Sequence, residues 1–397
     1  MPQSPTLSTA HKGSSRPAAG HPFLGLIDAV TVRGPMEFSF DGAVAGDHAQ
    51  GVWTWMVRDL APDLIDIEAI DDNPTNAMAL ESLIPELLIR AKKALTEAEA
   101  SPATMRRIRT AVGGDEVWAR LPVVMNALRC RGLLEKAQAF GRAANSMADE
   151  SALALAIQSM PLSDQPVAAL LFQAAVGQVT APARLITAAI RIAGVPNEAA
   201  LGRAGFFPLI DAIFAHAQDQ MPALMQSGTF SDMDLICRSV DRFHRLMRSV
   251  TGYVELVRNG RWAMIASVLT KSLSDRLEPK LRDVATDINQ ALRRREGSDR
   301  LDADQVLAAL NGMYLLATVR DSRDSLAVNA VFDQTWSQVG QALETHIERL
   351  LLQVRSHPGD KVISARLDAA LKMAEVRFGA DYADAMRRAK GTVERRA

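Results

Sequence analysis

The densest group of side chains that could do chemistry is acidic and lies between residues 59 and 72. It contains six carboxylates, namely Asp59, Asp63, Asp66, Glu68, Asp71 and Asp72. Carboxylate oxygens suit Ca²⁺ and Mg²⁺, but an EF-hand loop also needs a central glycine and a closing glutamate, which the 66–71 stretch lacks. The pattern is more typical of a solvated helix end, with Asp72 or Asn73 as the N-cap of a helix over 76–96. We therefore predict no metal site and no cofactor.

Histidine and cysteine are few and widely spaced. His346 falls in an apolar repeat, where it can fix the register of helix packing or respond to pH, because its ordinary pKa is near 6.5. Cys130 and Cys237 have no second Cys or His at metal-ligand spacing, so two reduced, buried thiols are predicted. Phosphate-binding loops, nucleophile elbows and zinc-protease motifs are absent from the sequence. No catalytic residue can be assigned, and an enzyme is the less favoured interpretation.

Four aromatic residues near the N-terminus are the candidates for binding a partner: Trp53, Trp55, Phe38 and Phe40. The strict alternation over 36–41 predicts a strand with Phe38 and Phe40 on one face. A turn signal at 33–35 connects it to a strand-like run over 24–32, which predicts a β-hairpin. Such a strand could add to a partner's sheet, and paired tryptophans can anchor a partner. Packing of the tryptophans between the hairpin and the first helix is the alternative.

Two long stretches carry apolar residues at a regular three/four spacing, from Met233 to Val257 and from Phe332 to Val354. This repeat places a narrow apolar stripe, here called a seam, along one side of a helix, and a seam is stable only when it packs against other helices. The second half of the chain is therefore predicted to be a bundle of long helices. We place them near 231–258, 261–295, 302–318, 324–355, 361–377 and 380–394.

Proline usage predicts the domain organisation. Eleven prolines punctuate residues 52–228, whereas only Pro279 and Pro358 follow Pro222, and proline disfavours a helix interior by about 3 kcal/mol. The predicted class is all-α, with an irregular array of short helices followed by a long-helix bundle and a small N-terminal β-hairpin. The predicted domains are a disordered tail (1–21), the hairpin packed on the helical body (22–50), the short-helix array (51–228) and the bundle (229–397).

Composition narrows the class of partner. The 397 residues include 45 basic and 46 acidic side chains, for a net charge of −1, so no overall field attracts nucleic acid or anionic lipid. The polar N-terminus lacks the apolar core of a secretory signal, and no stretch is long and apolar enough to span a membrane. Arg greatly outnumbers Lys, which we interpret as the mark of a bacterial genome rich in G and C. A cytoplasmic protein is expected.

These observations favour a bacterial cytoplasmic protein that acts through protein–protein contacts as an adaptor, scaffold or regulatory subunit. The protein partner cannot be identified from the sequence. The alternative is an enzyme or small-molecule-binding protein whose site, assembled without a motif, lies near the acidic 59–72 segment. A monomer is predicted because the short loops after residue 231 favour packing within one chain. A homodimer through the 324–355 helix is the alternative.

Overall fold

The structure is a computed structural model that describes residues 22–34, 36–65, 74–225, 231–293 and 300–396. The predicted tail over 1–21 lies outside the described residues. The protein is all-α, as the sequence predicts, with one two-stranded parallel sheet near the N-terminus. Its α-helices are α1 (Pro22–Gly25), α2 (Gly46–Trp55), α3 (Pro74–Ala100), α4 (Pro102–Val112), α5 (Asp115–Arg129), α6 (Arg131–Ala144), α7 (Glu150–Gln158), α8 (Gln165–Val176), α9 (Pro182–Ala193), α10 (Glu198–Arg203), α11 (Phe207–Gln218), α12 (Met221–Leu224), α13 (Met233–Thr251), α14 (Arg261–Leu292), α15 (Ala303–Ser322), α16 (Asn329–Ser356), α17 (Lys361–Phe378) and α18 (Ala380–Arg396).

The described chain divides into two compact units. The first contains the residues up to Thr180 together with Gly202–Ala215, and the second contains Ala181–Leu201 together with the residues from His216 onward. Sequence reasoning divides the chain at 228/229 instead. Compactness does not show which segments fold independently, so the division at 228/229 stays a prediction.

In the first unit, most prolines lie in the first turn of a helix and not between helices. Pro102 and Pro166 occupy such positions, where the missing N–H has no partner within the helix. Pro85 and Pro122 lie inside α3 and α5, contrary to the expectation that prolines divide this region. Both are on exposed faces, so water can solvate the carbonyl that each leaves without an N–H partner.

The predicted β-hairpin is wrong. The strands are β1 (Thr31–Val32) and β2 (Val44–Ala45), and they pair in parallel, with Thr31 opposite Val44. The described residues between them, including the alternating 36–41 stretch, form no strand. A hairpin would pair adjacent strands in antiparallel fashion across a tight turn, whereas here the chain travels through residues 33–43 before it returns alongside β1.

The side chain of Arg120 explains why the 36–41 stretch needs no neighbouring strand. Its Nη2 donates to the carbonyl oxygen of Ala43 at 2.8 Å and also to that of Phe40. Its Nη1 lies 3.2 Å from Oδ1 of Asp41. A guanidinium thus occupies carbonyl oxygens that would otherwise accept from a strand partner. The Phe40 ring is buried, so the alternation reflects partial burial of a loop.

In the second unit, six helices occupy the positions predicted for the long-helix bundle, from α13 to α18. Three of them follow an N-cap aspartate, whose side chain accepts hydrogen bonds from backbone N–H groups of the first turn. These aspartates are Asp232, Asp302 and Asp360. The first helix is shorter than predicted, since α13 ends at Thr251. The chain then turns away, and the N–H of Glu255 donates to the carbonyl oxygen of Pro196 at 2.7 Å.

Most residues of the two seams are buried as predicted, but Trp336 is half-buried, and Val257, which lies beyond the end of α13, is 57% exposed. On α16, the side chains of Phe332, Val339, Leu343, His346, Leu350 and Val354 are buried. Helix α16 packs against α14 and α17, and α14 packs against α15. Helices α14 and α16 run in the same direction, because Asn289 contacts His346 and Leu292 contacts Arg349 at the same sequence separation. This parallel pair positions the site described next.

Candidate functional site

The four aromatic residues predicted to bind a partner lie in the first unit, and most of them are buried. Trp53 is 7% exposed, Trp55 is 2% exposed and Phe40 is 4% exposed. The ring of Trp53 stacks on that of Phe23, with centroids 4.7 Å apart. Phe38 is half-buried beside Phe40. In this conformation they contribute to the core, and their role in partner binding stays a prediction.

The acidic segment is only partly described, since residues 66–72 lie outside the described ranges. Asp63 forms a bidentate ion pair with Arg90, with an Oδ1–Nη1 distance of 2.6 Å. The hydrogen bonds from Arg90 lower the pKa of Asp63. Within the described ranges, no group of three or more His, Cys, Asp or Glu side chains could hold a metal ion.

The two cysteines are both free thiols. Cys130 is buried, and the neighbouring Arg131 donates to the carbonyl oxygen of Leu128 and pairs with Glu81. Burial raises the pKa of the Cys237 thiol, which disfavours its thiolate. Neither environment resembles that of an activated nucleophile.

His346, the histidine that the sequence places in the second seam, lies in a polar cluster with Asn289 and Arg349. Its Nε2 lies 2.9 Å from Oδ1 of Asn289, and its Nδ1 lies 2.8 Å from Nη2 of Arg349. Arg349 also donates to the carbonyl oxygen of Leu292, at 3.2 Å. The cluster therefore connects α16 to the last turn of α14.

The partners of His346 determine its tautomer. A guanidinium can only donate, so Nδ1 of His346 must accept, and Nε2 carries the hydrogen that is donated to Asn289. The Asn289 amide is oriented to match, because its Nδ2 donates to the carbonyl oxygen of Ala285 at 2.8 Å. Burial and the positive charge of Arg349 lower the pKa of His346. The imidazole is thus held neutral.

A groove of about 450 Å³ opens beside this cluster, between α14 and α16. Six of its lining side chains carry uncharged hydrogen-bonding groups, namely Thr286, Asn289, Gln338, Gln341, Thr345 and His346. The remaining two are alanines, Ala285 and Ala342. The sequence signal for this groove is the spacing of Gln338, Gln341 and Thr345 on one side of the helix that carries the second seam. Sequence reasoning singled out His346 alone and missed the residues around it.

A second surface in the same unit is apolar and lies on α15. Leu307 is 40% exposed and Tyr314 is 52% exposed, and Leu310 between them is half-buried. Their spacing of three, four and seven residues places them on one face. The opposite face of α15 is also apolar, and Met313 and Leu316 are fully buried there. We call Leu307, Leu310 and Tyr314 the α15 surface stripe.

Trp336, the half-buried residue of the α16 seam, lies in a cluster with Arg377 and Phe332. The guanidinium of Arg377 lies 4.4 Å from the centroid of the Trp336 ring, and its Nε donates to the Trp336 carbonyl oxygen at 3.1 Å. Phe332 stacks on the same ring at 5.5 Å. A cation over an indole face attracts the ring quadrupole, so this cluster holds α17 against α16.

Comparison with known protein families, with curated proteins and with solved structures finds no match for this chain. None of the described helices is long and apolar enough to cross a membrane.

Proposed function

We propose that this protein acts in the bacterial cytoplasm through protein–protein contacts, as an adaptor, scaffold or regulatory subunit. The observation that carries the proposal is the α15 surface stripe. A helix that is apolar on every side is normally enclosed by other helices. Helix α15 has its inner face buried by the second unit, while Leu307 and Tyr314 project from its outer face.

The residue types on this face suit a binding surface. Tyrosine buries a large ring with few rotatable bonds and keeps a hydroxyl for hydrogen bonding, and it is enriched in the residues that contribute most to binding. Leucine beside it supplies apolar area, at about 25 cal/mol per Å² removed from water. Isolated exposed apolar residues need no explanation. Here two exposed residues, with the half-buried Leu310 between them, form a continuous stripe on one face of one helix that a partner can cover.

Affinity purification of the tagged full-length protein from its own host, followed by mass spectrometry, tests the proposal. The test variant is Leu307→Ser with Tyr314→Ser. The matched control is Ile89→Ser with Leu155→Ser, which changes two residues of the first unit that are 64% and 68% exposed. We expect the same set of proteins to co-purify with the wild type and with the control variant. The test variant should lose proteins of this set.

The proposal fails if the test variant retains every protein that the wild type retains. It also fails if the wild type retains nothing beyond what an unrelated tagged protein retains. Because all four substituted side chains are exposed, far-ultraviolet circular dichroism should show equal helicity for the three proteins.

A further inference from the structure

We propose that His346, Arg349 and the carbonyl oxygen of Leu292 form a pH-sensitive latch between α16 and α14. While the imidazole is neutral, Arg349 holds the last turn of α14, and protonation of the imidazole releases that turn. The latch lies inside the second unit and is separate from the α15 surface stripe, so it does not depend on the proposed function.

A single guanidinium nitrogen connects the two helices. Nη2 of Arg349 lies 2.8 Å from Nδ1 of His346 and 3.2 Å from the carbonyl oxygen of Leu292. Leu292 is the last residue of α14, and the carbonyl oxygens of a last helical turn have no partner within their own helix. Arginine side chains commonly bond to such carbonyls. The hold on α14 therefore comes from a guanidinium that His346 helps to position.

Protonation of His346 turns this contact into a repulsion. Both nitrogens of a protonated imidazole carry hydrogens, so two donors would face each other across 2.8 Å. His346 is only 8% exposed, and like charges repel more strongly away from water. Arg349 is exposed, so its guanidinium can turn into solvent without opening the seam. The bond to Leu292 is lost with it, because the same nitrogen makes both contacts.

No acidic side chain in the described part of the chain offsets the second charge. Helix α16 packs against α14, α15, α17 and α18, and the charge that acts on the pKa of His346 is that of Arg349. From α14, the side chain that bonds to the imidazole is the uncharged amide of Asn289. Titratable groups elsewhere on these helices act on one another, namely Asp283 on Asp287, Arg320 and Glu344 on Arg377, and Glu344 and Glu348 on Tyr382.

The coupling between the proton and the guanidinium acts in both directions. Burial and the positive charge of Arg349 lower the pKa of His346. A guanidinium that weakens proton binding is itself held less tightly once the proton is bound, by the same factor. Lower pH therefore shifts Arg349 away from Leu292.

Hydrogen–deuterium exchange of the full-length protein, measured by mass spectrometry at about pH 7.5 and about pH 5, tests the latch on both sides of the ordinary pKa of histidine. An unstructured peptide corrects for the intrinsic pH dependence of exchange. In the variant His346→Gln, the amide can accept from Arg349 and donate to Asn289 but does not titrate. Arg349→Met removes the guanidinium. The matched control is His357→Gln, since His357 is exposed at the end of the same helix.

In the wild type and in His357→Gln, the last turn of α14 should exchange about tenfold faster at the lower pH, as the loss of one hydrogen bond from a charged donor implies. Helix α17 contains no histidine and should accelerate by a smaller factor, which separates local release from unfolding of the whole unit. The last turn of α14 should exchange equally at both pH values in His346→Gln. In Arg349→Met it should exchange fast at both.

A second measurement follows the proton itself. In an NMR titration of the ring, the pKa of His346 should be higher in Arg349→Met than in the wild type, because a neighbouring positive charge has been removed. The latch is refuted if the pH response persists in His346→Gln or in Arg349→Met. It is also refuted if α14 and α17 accelerate equally, or if the pKa of His346 is the same in Arg349→Met as in the wild type.

Discussion

Replacing Leu343 by alanine should destabilise the second unit strongly, because this side chain lies at the centre of the α16 seam and is fully buried. The substitution removes three carbon atoms at about 0.8 kcal/mol each and adds the cost of the cavity that remains. The sum is a loss of about 2.5–5 kcal/mol in the free energy of unfolding. For a domain of about 150–250 residues, each kcal/mol lowers Tm by about 2–4 °C, so a decrease of about 5–20 °C is expected.

The matched control is Leu352→Ala, a chemically identical change on the same helix at a side chain that is 60% exposed. It should alter the free energy of unfolding by no more than about 0.5 kcal/mol. Urea denaturation and thermal melting, both followed by circular dichroism at 222 nm, measure the two variants side by side. If their melting temperatures agree within about 1 °C, the Leu343 side chain is not part of the core and the assignment of the seam is wrong.

Three further predictions concern His346, two glycines and the oligomeric state. The pKa of His346 is lowered in the folded protein, so the unfolded chain binds the proton more readily and the free energy of unfolding falls as the pH drops below about 6.5. In urea denaturation repeated between about pH 7 and 5, the His346→Gln variant should lose less stability than the wild type. Equal losses would contradict this prediction. Gly312→Ala should lower the free energy of unfolding by about 1–3 kcal/mol, because a Cβ at this position would lie 2.8 Å from Cγ2 of Val284. Gly132→Ala should raise it by about 0.5–1 kcal/mol in the same assay, because a Cβ at position 132 would have no atom within 4 Å. Light scattering at micromolar concentration should give a monomer near 43 kDa. A stable mass of twice that value would contradict the predicted monomer.

The long helices of the second unit could be predicted because their signals are local. An aspartate at the N-cap, a continuous seam and a glycine or proline between helices all act within a few residues of where they stand. Helix α17 therefore begins within a residue of Asp360, as predicted. Where a local signal competed with a distant contact, the prediction was less accurate, and α13 ends early because residues beyond Thr251 contact the 196–198 segment.

The β-hairpin failed for the same physical reason. The alternation over 36–41 is a true signal of one-sided burial, but whether such a stretch becomes a strand depends on what its carbonyl oxygens bond to. Arg120 supplies that partner from 77 and 80 residues further along the chain. Nothing within the stretch itself indicates the guanidinium, so a pattern-based prediction assigns the carbonyls to a second strand.

The sequence by itself determined the all-α class, the positions of the long helices and the burial of most seam residues, since these follow from composition, capping and the 3.6-residue period. Tertiary structure alone decided which polar side chains meet. His346 stands out in the sequence as a polar residue in a seam, but its contacts with Asn289 and Arg349 exist only because α14 and α16 pack in parallel. Binding surfaces depend on such long-range packing, and the groove and the α15 surface stripe were therefore visible only in the folded molecule.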